Sequence, residues 1–571
     1  MHDPFLHPLK SLFAEKISEG LTRAGVKSCS KWAETYRIMD NGPWVEGAFP
    51  WERKEHKQIS NWSFELFPWL KEMHNCKAEI MCSQKCAQMG MTEAALNKTF
   101  KAIDIDRKSV LYLLPTSGSA HKFSASRFDP CLSLSPHLKN LFSDVKNKAH
   151  KQAGTAAIFF RGTQVRDGLK SDPVDLIIFD ELDEMPADMV SLAFARTLGK
   201  AAGTYQNFLL STPSISGKGI NKYFSESDQR HFMFKCPHCG KMTELVYPEC
   251  LVVTAEDFTD PLIKNSHLIC KECKKKLEHL DKRNFLRDAI WVPTVPGRLS
   301  AGYAINQLYS CRSHPSRIAE QVLKAIYSQS DEQEFYNSYL GLPREVEGAR
   351  LTNAQIDACV RNYKQVQASK PGSFVTMGVD VGNILHYVVL EWAFNGNVTT
   401  KDINMMSSAT LLKEGKTRNF EDLSELMHRY QVRFCVIDSQ PEVRKATEFA
   451  KSFPGRVKTC TYASGSTGTE IKVGKTDPWR VNVDRTSFID MMYGRFRTDR
   501  IILPQDLSQE YRQHLTSLVR VYKTDSSGNA VGRYEKPDNG QDHFCHSQTY
   551  AEIALSLGIS LSRSAPLEGV F

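Results

Sequence analysis

The chain has 571 residues, 41% of them apolar and 24% charged, with a formal charge of +8; that size predicts two or three domains with a sizeable core. No apolar run is long enough to span a membrane, and the N-terminal MHDPFLHPLKSLFAEK has no uninterrupted apolar signal core, so a soluble, non-secreted chain is expected. Fifteen cysteines, an odd and mostly scattered set, fit a reducing compartment better than a disulfide framework, and the modest positive charge permits a polyanionic partner without demanding one.

In chain order, the first informative stretch is Ala78 to Thr92, AEIMCSQKCAQMGMT, a strand running into an altered phosphate-binding loop. The standard loop reads G-x-x-x-x-G-K-[ST]; here Lys85 stands at the first glycine and Met91 at the lysine. Lys85, Gly90 and Thr92 can still supply a cation for the β- and γ-phosphates, a side-chain-free backbone approach and a hydroxyl for Mg²⁺. Backbone N–H groups around Gln88 would complete the cradle at the helix start. An ordinary strand-to-helix turn would also read this way, so the stretch needs a partner motif.

That partner is Val174 to Glu181, VDLIIFDE, an apolar run fit for a fully buried parallel strand and ending in two carboxylates. In nucleotide hydrolases Asp180 would hold Mg²⁺ through water, while Glu181 orients and deprotonates the attacking water. A third strand, Asn207 to Leu210, runs into Ser211-Thr212-Pro213-Ser214. Ser211 and Thr212 could donate to a γ-phosphate, although this is also plain turn chemistry.

Cys236-Pro-His-Cys239 and Cys270-Lys-Glu-Cys273 form two C-x-x-C knuckles that a β-ribbon can bring together, predicting a closed structural Zn²⁺ site of four thiolates. His238 and His267 lie nearby but are expected to be bystanders, because four sulfurs fill the shell. The run KECKKK at Lys271 to Lys276 makes this module basic, which suits nucleic acid phosphate or a wet surface.

A polar Pro/Gly stretch, KQVQASKPG from Lys364, reads as a linker or domain entry. Phe374 to Val381 then predicts a strand carrying Asp380, Gly382-Asn383 a turn, and Leu385 to Trp392 a returning strand. Arg433 to Ile437 predicts a strand ending at Asp438, and Gln541 to Leu555 a helix beginning Asp542-His543-Phe544-Cys545-His546. Two strand-end aspartates facing metal-capable side chains at a helix start form the layout of an RNase H-like nuclease. Such a site clamps a phosphodiester with Mg²⁺ or Mn²⁺, imidazole favouring Mn²⁺. Asp380 is the best shared ligand, and Asp542, His543 and His546 are spaced to face one site.

This ordered set resembles the large terminase subunit of tailed bacteriophages, in particular its lambda-like A-protein branch. The resemblance rests on Gly42-Pro43-Trp44, Phe49-Pro50-Trp51, the loop Lys85 to Thr92, Pro115-Thr116, Ser124 to Pro130, Asp180-Glu181 and Ser211-Thr212-Pro213. It continues through the cysteine knuckles, Leu340-Gly341-Leu342-Pro343, Gly378-Val-Asp380 and Ile437-Asp438. Some members of the family carry the loop lysine early, which supports Lys85 as the phosphate ligand.

The resemblance implies an ATP-driven motor that translocates double-stranded DNA into a procapsid and cuts concatemeric DNA with a metal-dependent endonuclease. It implies as partners DNA, a small terminase subunit and the portal protein, a homo-oligomeric ring on the portal, no membrane, and the bacterial host cytoplasm as location. It implies an α/β architecture: an adaptor region at 1–50, a P-loop ATPase of the ASCE type with a parallel sheet at 51–225, a zinc-ribbon insertion at 226–300, ATPase completion and linker at 301–365, and an RNase H-like nuclease at 366–571. By analogy the tail after Leu561 contacts the portal. Trp51 could stack on adenine or simply pack in the core. Arg127, Arg161 and Arg196 are all open as the charge-stabilising arginine. The family's nuclease helix presents an aspartate where His546 stands, so the third metal ligand is His546 or Asp542, or the nuclease is weak. A helicase or repair nuclease working outside packaging, and a non-catalytic DNA-binding assembly protein, are the alternative readings.

Overall fold

The computed structural model describes residues 26–40, 59–142, 145–170, 174–395, 403–463, 468–474, 476–524 and 529–562. Trp51 and the neighbouring Gly42 to Trp44 and Phe49-Pro50 lie outside the described residues, as does the tail from 563 onward. The chain divides into two compact units, Met1–Arg344 and Glu345–Phe571.

The first unit is built on β1 (Ile80–Lys85), α1 (Met91–Asp104), β2 (Val110–Leu114), β3 (Ala156–Gly162), β4 (Leu176–Asp180), β5 (Gln206–Ser211), α2 (Gly219–Glu226), β6 (Arg230–Lys235), β7 (Ile290–Pro293) and β8 (Ala301–Ile305). Its strands run in the order β6-β8-β1-β5-β4-β2-β3, all parallel to their neighbours. Short antiparallel strands extend both edges.

Strand β2 reads VLYLL and β4 reads LIIFD, and every residue of both is buried. That is the pattern of strands covered on both faces. Val110, Tyr112, Leu114, Ile178 and Leu210 pack into one core with Phe100 and Phe128, whereas Leu111, Leu113, Ile177, Phe179 and Leu209 pack into another with Val190 and Ile220. Strand β5 separates β1 from β4, so the Ser-Thr turn leaves the sheet between the altered loop and the acidic strand end. The cysteine knuckles occupy the excursion from β6 to β7, which pair antiparallel within the main sheet; the excursion carries its own three-stranded sheet of Leu251–Val252, His267–Ile269 and Lys276–Leu277.

The second unit begins ahead of the polar Pro/Gly stretch. Leu351, Ile356 and Cys359 are buried in its core, and Arg361 N donates to Leu503 O at 2.8 Å. Its main elements are β9 (Phe374–Asp380), β10 (Leu385–Phe394), β11 (Ser407–Thr417), β12 (Phe434–Asp438), β13 (Val457–Tyr462), β14 (Arg480–Val483), α3 (Arg485–Arg497), β15 (Ile501–Ile502), α4 (Gln509–Ser517) and α5 (His543–Ser562). The order β14-β13-β12-β9-β10-β11-β15 combines an antiparallel β9-β10-β11 meander with β12 and β13 parallel to β9. This is the RNase H-like arrangement.

Helix α5 lies directly on β9. A Cβ at Gly378 would stand 1.9 Å from Ser547 O and 2.3 Å from Ala551 N, so glycine in mid-strand marks the close approach of two backbones. Thr376 Oγ1 donates to Ala551 O at 3.0 Å, and the buried ion pair of Arg495 with Glu552, 2.7 Å, ties α3 to the same helix. This contact holds the helix start over the carboxyl ends of β9 and β12. Gly378→Ala should therefore destabilise the second unit by at least about 1–3 kcal/mol, the usual cost of forcing a methyl into a packed core, measured by denaturant unfolding.

Candidate functional site

In the first unit, Lys85, Gln88, Gly90, Thr92, Glu181 and Thr212 line one cavity of about 810 Å³. The loop's shape comes from what lies under it. Met91, at the usual lysine position, is 1% exposed and packs in the core. Trp69 Nε1 donates to Met89 O at 2.9 Å. A strap closing the unit grips the loop from another side: Ala87 N donates to Ser338 O at 2.8 Å, and Gln84 Nε2 donates to Gly341 O at 2.9 Å. Gly341, at φ +66°, has no room for a side chain, since a Cβ would stand 2.9 Å from Cys86 N.

At the acidic end, Glu181 takes a left-handed conformation, φ 67°, which a non-glycine residue adopts only where its surroundings enforce it. Burial and the adjacent Asp180 push its carboxyl above the usual range, with Lys85 opposing. Asp180 is buried, outside the cavity lining, and accepts from Tyr112 Oη at 2.8 Å. Ser211 is buried beside it and spends its hydroxyl locally, accepting from Asp183 N at 3.2 Å and donating to Thr212 O at 3.1 Å. Of the pair, Thr212 is the one that faces the cavity.

Sequence reasoning passed over Asp183, whose buried carboxylate accepts from Ser214 N, Ser214 Oγ and Ile220 N at 2.7–2.8 Å. It locks the acidic turn to the turn after β5 and to the first turn of α2. Arg127 lines the cavity, and so do Arg283, Arg312 and Arg317, which the sequence did not mark. Arg161 and Arg196 instead donate to backbone carbonyls of Ala149 and Lys170 and lie outside the lining.

The four knuckle cysteines bring their sulfurs within 4.8 Å of one another. Cys236 Sγ and Cys273 Sγ are 3.9 Å apart, close to the edge of about 3.8 Å of a tetrahedron with bonds of ~2.3 Å. His238 N and Glu272 N point at Cys236 Sγ and Cys270 Sγ, each at 3.4 Å, so the backbone already favours thiolate charge. His238 and His267 contact backbone carbonyls of Lys276 and Asn265. These residues fit a zinc ion.

In the second unit, Asp380 and Asp438 end neighbouring parallel strands. Burial pushes the Asp438 carboxyl up to about 6, Asp380 adding to the rise against an opposing hydrogen bond from Gln440 N. Carboxylates at the ends of adjacent parallel strands, one raising the other's proton affinity, fit a divalent cation. His543 Nδ1 contacts Asp380 Oδ2 at 2.8 Å and its Nε2 contacts Gln541 Oε1 at 2.9 Å. Both ring nitrogens face acceptors, and Asp380 accordingly raises the imidazole's affinity for its proton.

Asp542 and His546 pair with each other, Oδ2 to Nε2 at 3.2 Å. Lys536 Nζ holds Asp542 Oδ1 at 2.6 Å, and Tyr462 Oη meets His546 Nδ1 at 3.0 Å. Burial draws Asp542 upward, but His546 and Lys536 outweigh it and keep the carboxyl below its usual range. Tyr462, Lys536 and His386 were not marked by the sequence. His386 stands opposite Asp380 in the β9–β10 register, and its ring stacks on His543 with centroids 4.6 Å apart.

Because the protonated His543 ring is paired in the folded chain, its contribution to stability is present below the unfolded imidazole pKa and is lost as pH rises through the higher folded value. An NMR titration should find His543 above the ordinary imidazole range, and Asp380→Asn should abolish the elevation.

A family model described as the ATPase domain of the phage terminase large subunit gpA matches residues 57–291. A second, for the endonuclease domain of terminase large subunit gpA, matches residues 300–560. No curated protein matches the chain in sequence. The crystal structure of the HK97 bacteriophage large terminase aligns over 94% of this chain and 99% of that one, with 9% identity and a TM-score of 0.50. The large terminase ATPase domain of a Thermus phage aligns over 49% of this chain and 96% of its own, with 13% identity and a TM-score of 0.31.

Proposed function

The chain belongs to the phage terminase large-subunit family, with an ATPase and an endonuclease domain, and from that premise we propose which of its residues drive DNA packaging and cutting. The observation that carries the motor reading is the single cavity shared by Lys85, Thr92, Glu181 and Thr212. Lys85 would neutralise the β- and γ-phosphates from the start of the loop, the loop amides and Gly90 would cradle them, and Thr92 would offer its hydroxyl to the Mg²⁺ that accompanies ATP. Glu181 orients and deprotonates the attacking water, its raised proton affinity matching a base. Asp180, fixed by Tyr112, would hold the same ion through water. Thr212 senses the γ-phosphate, with Ser211 shaping the turn that presents it. Arg127 is the cavity's charge-stabilising arginine among the three sequence candidates.

In the endonuclease, Asp380, Asp438 and Asp542 would hold divalent metal, Mg²⁺ or Mn²⁺, which when bound supplies charge stabilisation and an activated nucleophile for phosphodiester hydrolysis. Asp542 is kept anionic and aimed by His546 and Lys536. Both nitrogens of His546 are engaged, so it positions Asp542 rather than replacing it. His543 orients Asp380. The cysteine knuckles would hold a structural Zn²⁺ through Cys236, Cys239, Cys270 and Cys273. The partners are double-stranded DNA, a small terminase subunit and the portal of a procapsid in the host cytoplasm, with the chain acting as a ring. No helix among the described residues is long and apolar enough to cross a membrane.

Packaging of linear DNA into purified procapsids should require ATP. Lys85→Ala should lower DNA-stimulated ATP turnover by about 100-fold, in line with loss of one transition-state charge contact, while leaving DNA cutting intact; Glu181→Gln with unchanged turnover would remove the motor assignment. In cleavage assays with Mg²⁺ and with Mn²⁺, Asp542→Ala should abolish cutting, and His546→Ala should weaken it by about 10–100-fold, the usual effect of losing a group that orients a metal ligand.

A further inference from the structure

Beside the nuclease carboxylates lies a second group of donors that this mechanism does not use. Glu510 and His514 stand one turn apart on α4, so both side chains leave the same helix face. They meet His386 of β10, and one donor atom from each of the three lies within 4.8 Å of the others. His386 Nε2 is 3.6 Å from Glu510 Oε1, too long for a hydrogen bond. Ligands bonded to one tetrahedral ion at about 2.1 Å stand about 3.4 Å apart, so this pair is already near coordination distance.

The His386 ring is 4% exposed, and its Nδ1 has no hydrogen-bond partner. With the ring proton on this unpartnered Nδ1, the Nε2 that faces Glu510 presents its lone pair to an ion. Lys416 Nζ binds Glu510 Oε2 at 2.7 Å, which orients the carboxylate and leaves Oε1 for the group's interior. Glu510 is partly exposed, giving an ion a route in and an open position for water. His514 Nδ1 accepts from Phe544 N at 3.3 Å, a long bond that a ring coordinated through Nε2 would give up.

We propose that His386, Glu510 and His514 form a binding site for a zinc-class divalent ion, separate from the cysteine knuckles and adjoining the nuclease centre, since His386 also stands within 4.8 Å of donor atoms of Asp380 and His543. Two imidazoles and a single carboxylate favour Zn²⁺ over Mg²⁺, which prefers an oxygen shell. Because His386 stacks on His543 and His514 touches the first turn of α5, an ion here braces the wall of the nuclease centre.

The test uses the full chain, stripped of metal and reloaded with Zn²⁺ or Co²⁺ in excess Mg²⁺. Bound metal is counted after gel filtration, and Co²⁺ absorption separates thiolate from nitrogen and oxygen ligation. Glu510→Gln, a change at a partly exposed side chain, and His514→Ala should each bind a full equivalent less than the parent, with the thiolate charge-transfer band unchanged. Asp438→Asn should keep that equivalent. Equal stoichiometry in the parent and in Glu510→Gln overturns the proposal. So does a loss confined to Asp438→Asn, which assigns the ion to the nuclease carboxylates. Thermal unfolding of each variant without metal identifies a folding defect, and Glu510→Gln then decides.

Discussion

A strand buried on both faces has no solvent along its length, so whatever polar chemistry it carries must appear where it ends. Both units are organised by this constraint. In the first, β1, β5 and β4 are neighbours pointing the same way, and their carboxyl ends place Lys85, Thr212 and Glu181 around one cavity. In the second, β9 and β12 are parallel neighbours ending in Asp380 and Asp438. Burial at that strand end lifts the Asp438 carboxyl, and the Asp380 charge that the parallel pairing brings beside it adds to the rise.

What the sequence disclosed follows the same logic. Buried parallel strands announce themselves as unbroken apolar runs, which is why VDLIIFDE and the Asp380 and Asp438 strands were legible, acids included. Cysteine spacing was legible because two thiols on a tight turn have few other uses. Groups acting through tertiary contacts were hidden. Trp69 beneath the loop, Tyr112 on Asp180 and Tyr462 on His546 lie 20, 68 and 84 residues from their partners. Asp183 was hidden for another reason: it sits beside a brighter motif, and nothing local says that its carboxylate closes a turn thirty residues on. Pro and Gly mark chain irregularity around Lys364 to Gly372, whereas what ties a segment to a core is burial, as at Leu351 and Ile356 in the second unit.

The departures from familiar motifs have a common physical form. Met91 packs in the core, and in the proposed motor site Lys85 at the strand end stands in for the usual lysine. His546 occupies a place where a carboxylate is usual, yet it is bound on both nitrogens and leaves an anionic Asp542 one turn earlier. In each proposed site a charged side chain at a neighbouring position stands in for the one the motif leads one to expect.

The strap over the phosphate loop bears on the order in which this protein can be made. Gln84 and Gly341 are separated by 257 positions, and β1 also needs β8 as its neighbour. Contacts of such sequence separation form late, since loop closure must precede them. A ribosome that has released β1, α1 and the acidic strand has delivered most of the nucleotide-binding chemistry but not its support. The loop acquires its final shape only when the last residues of the first unit emerge, which keeps the nascent chain from assembling a finished nucleotide pocket before that unit is complete.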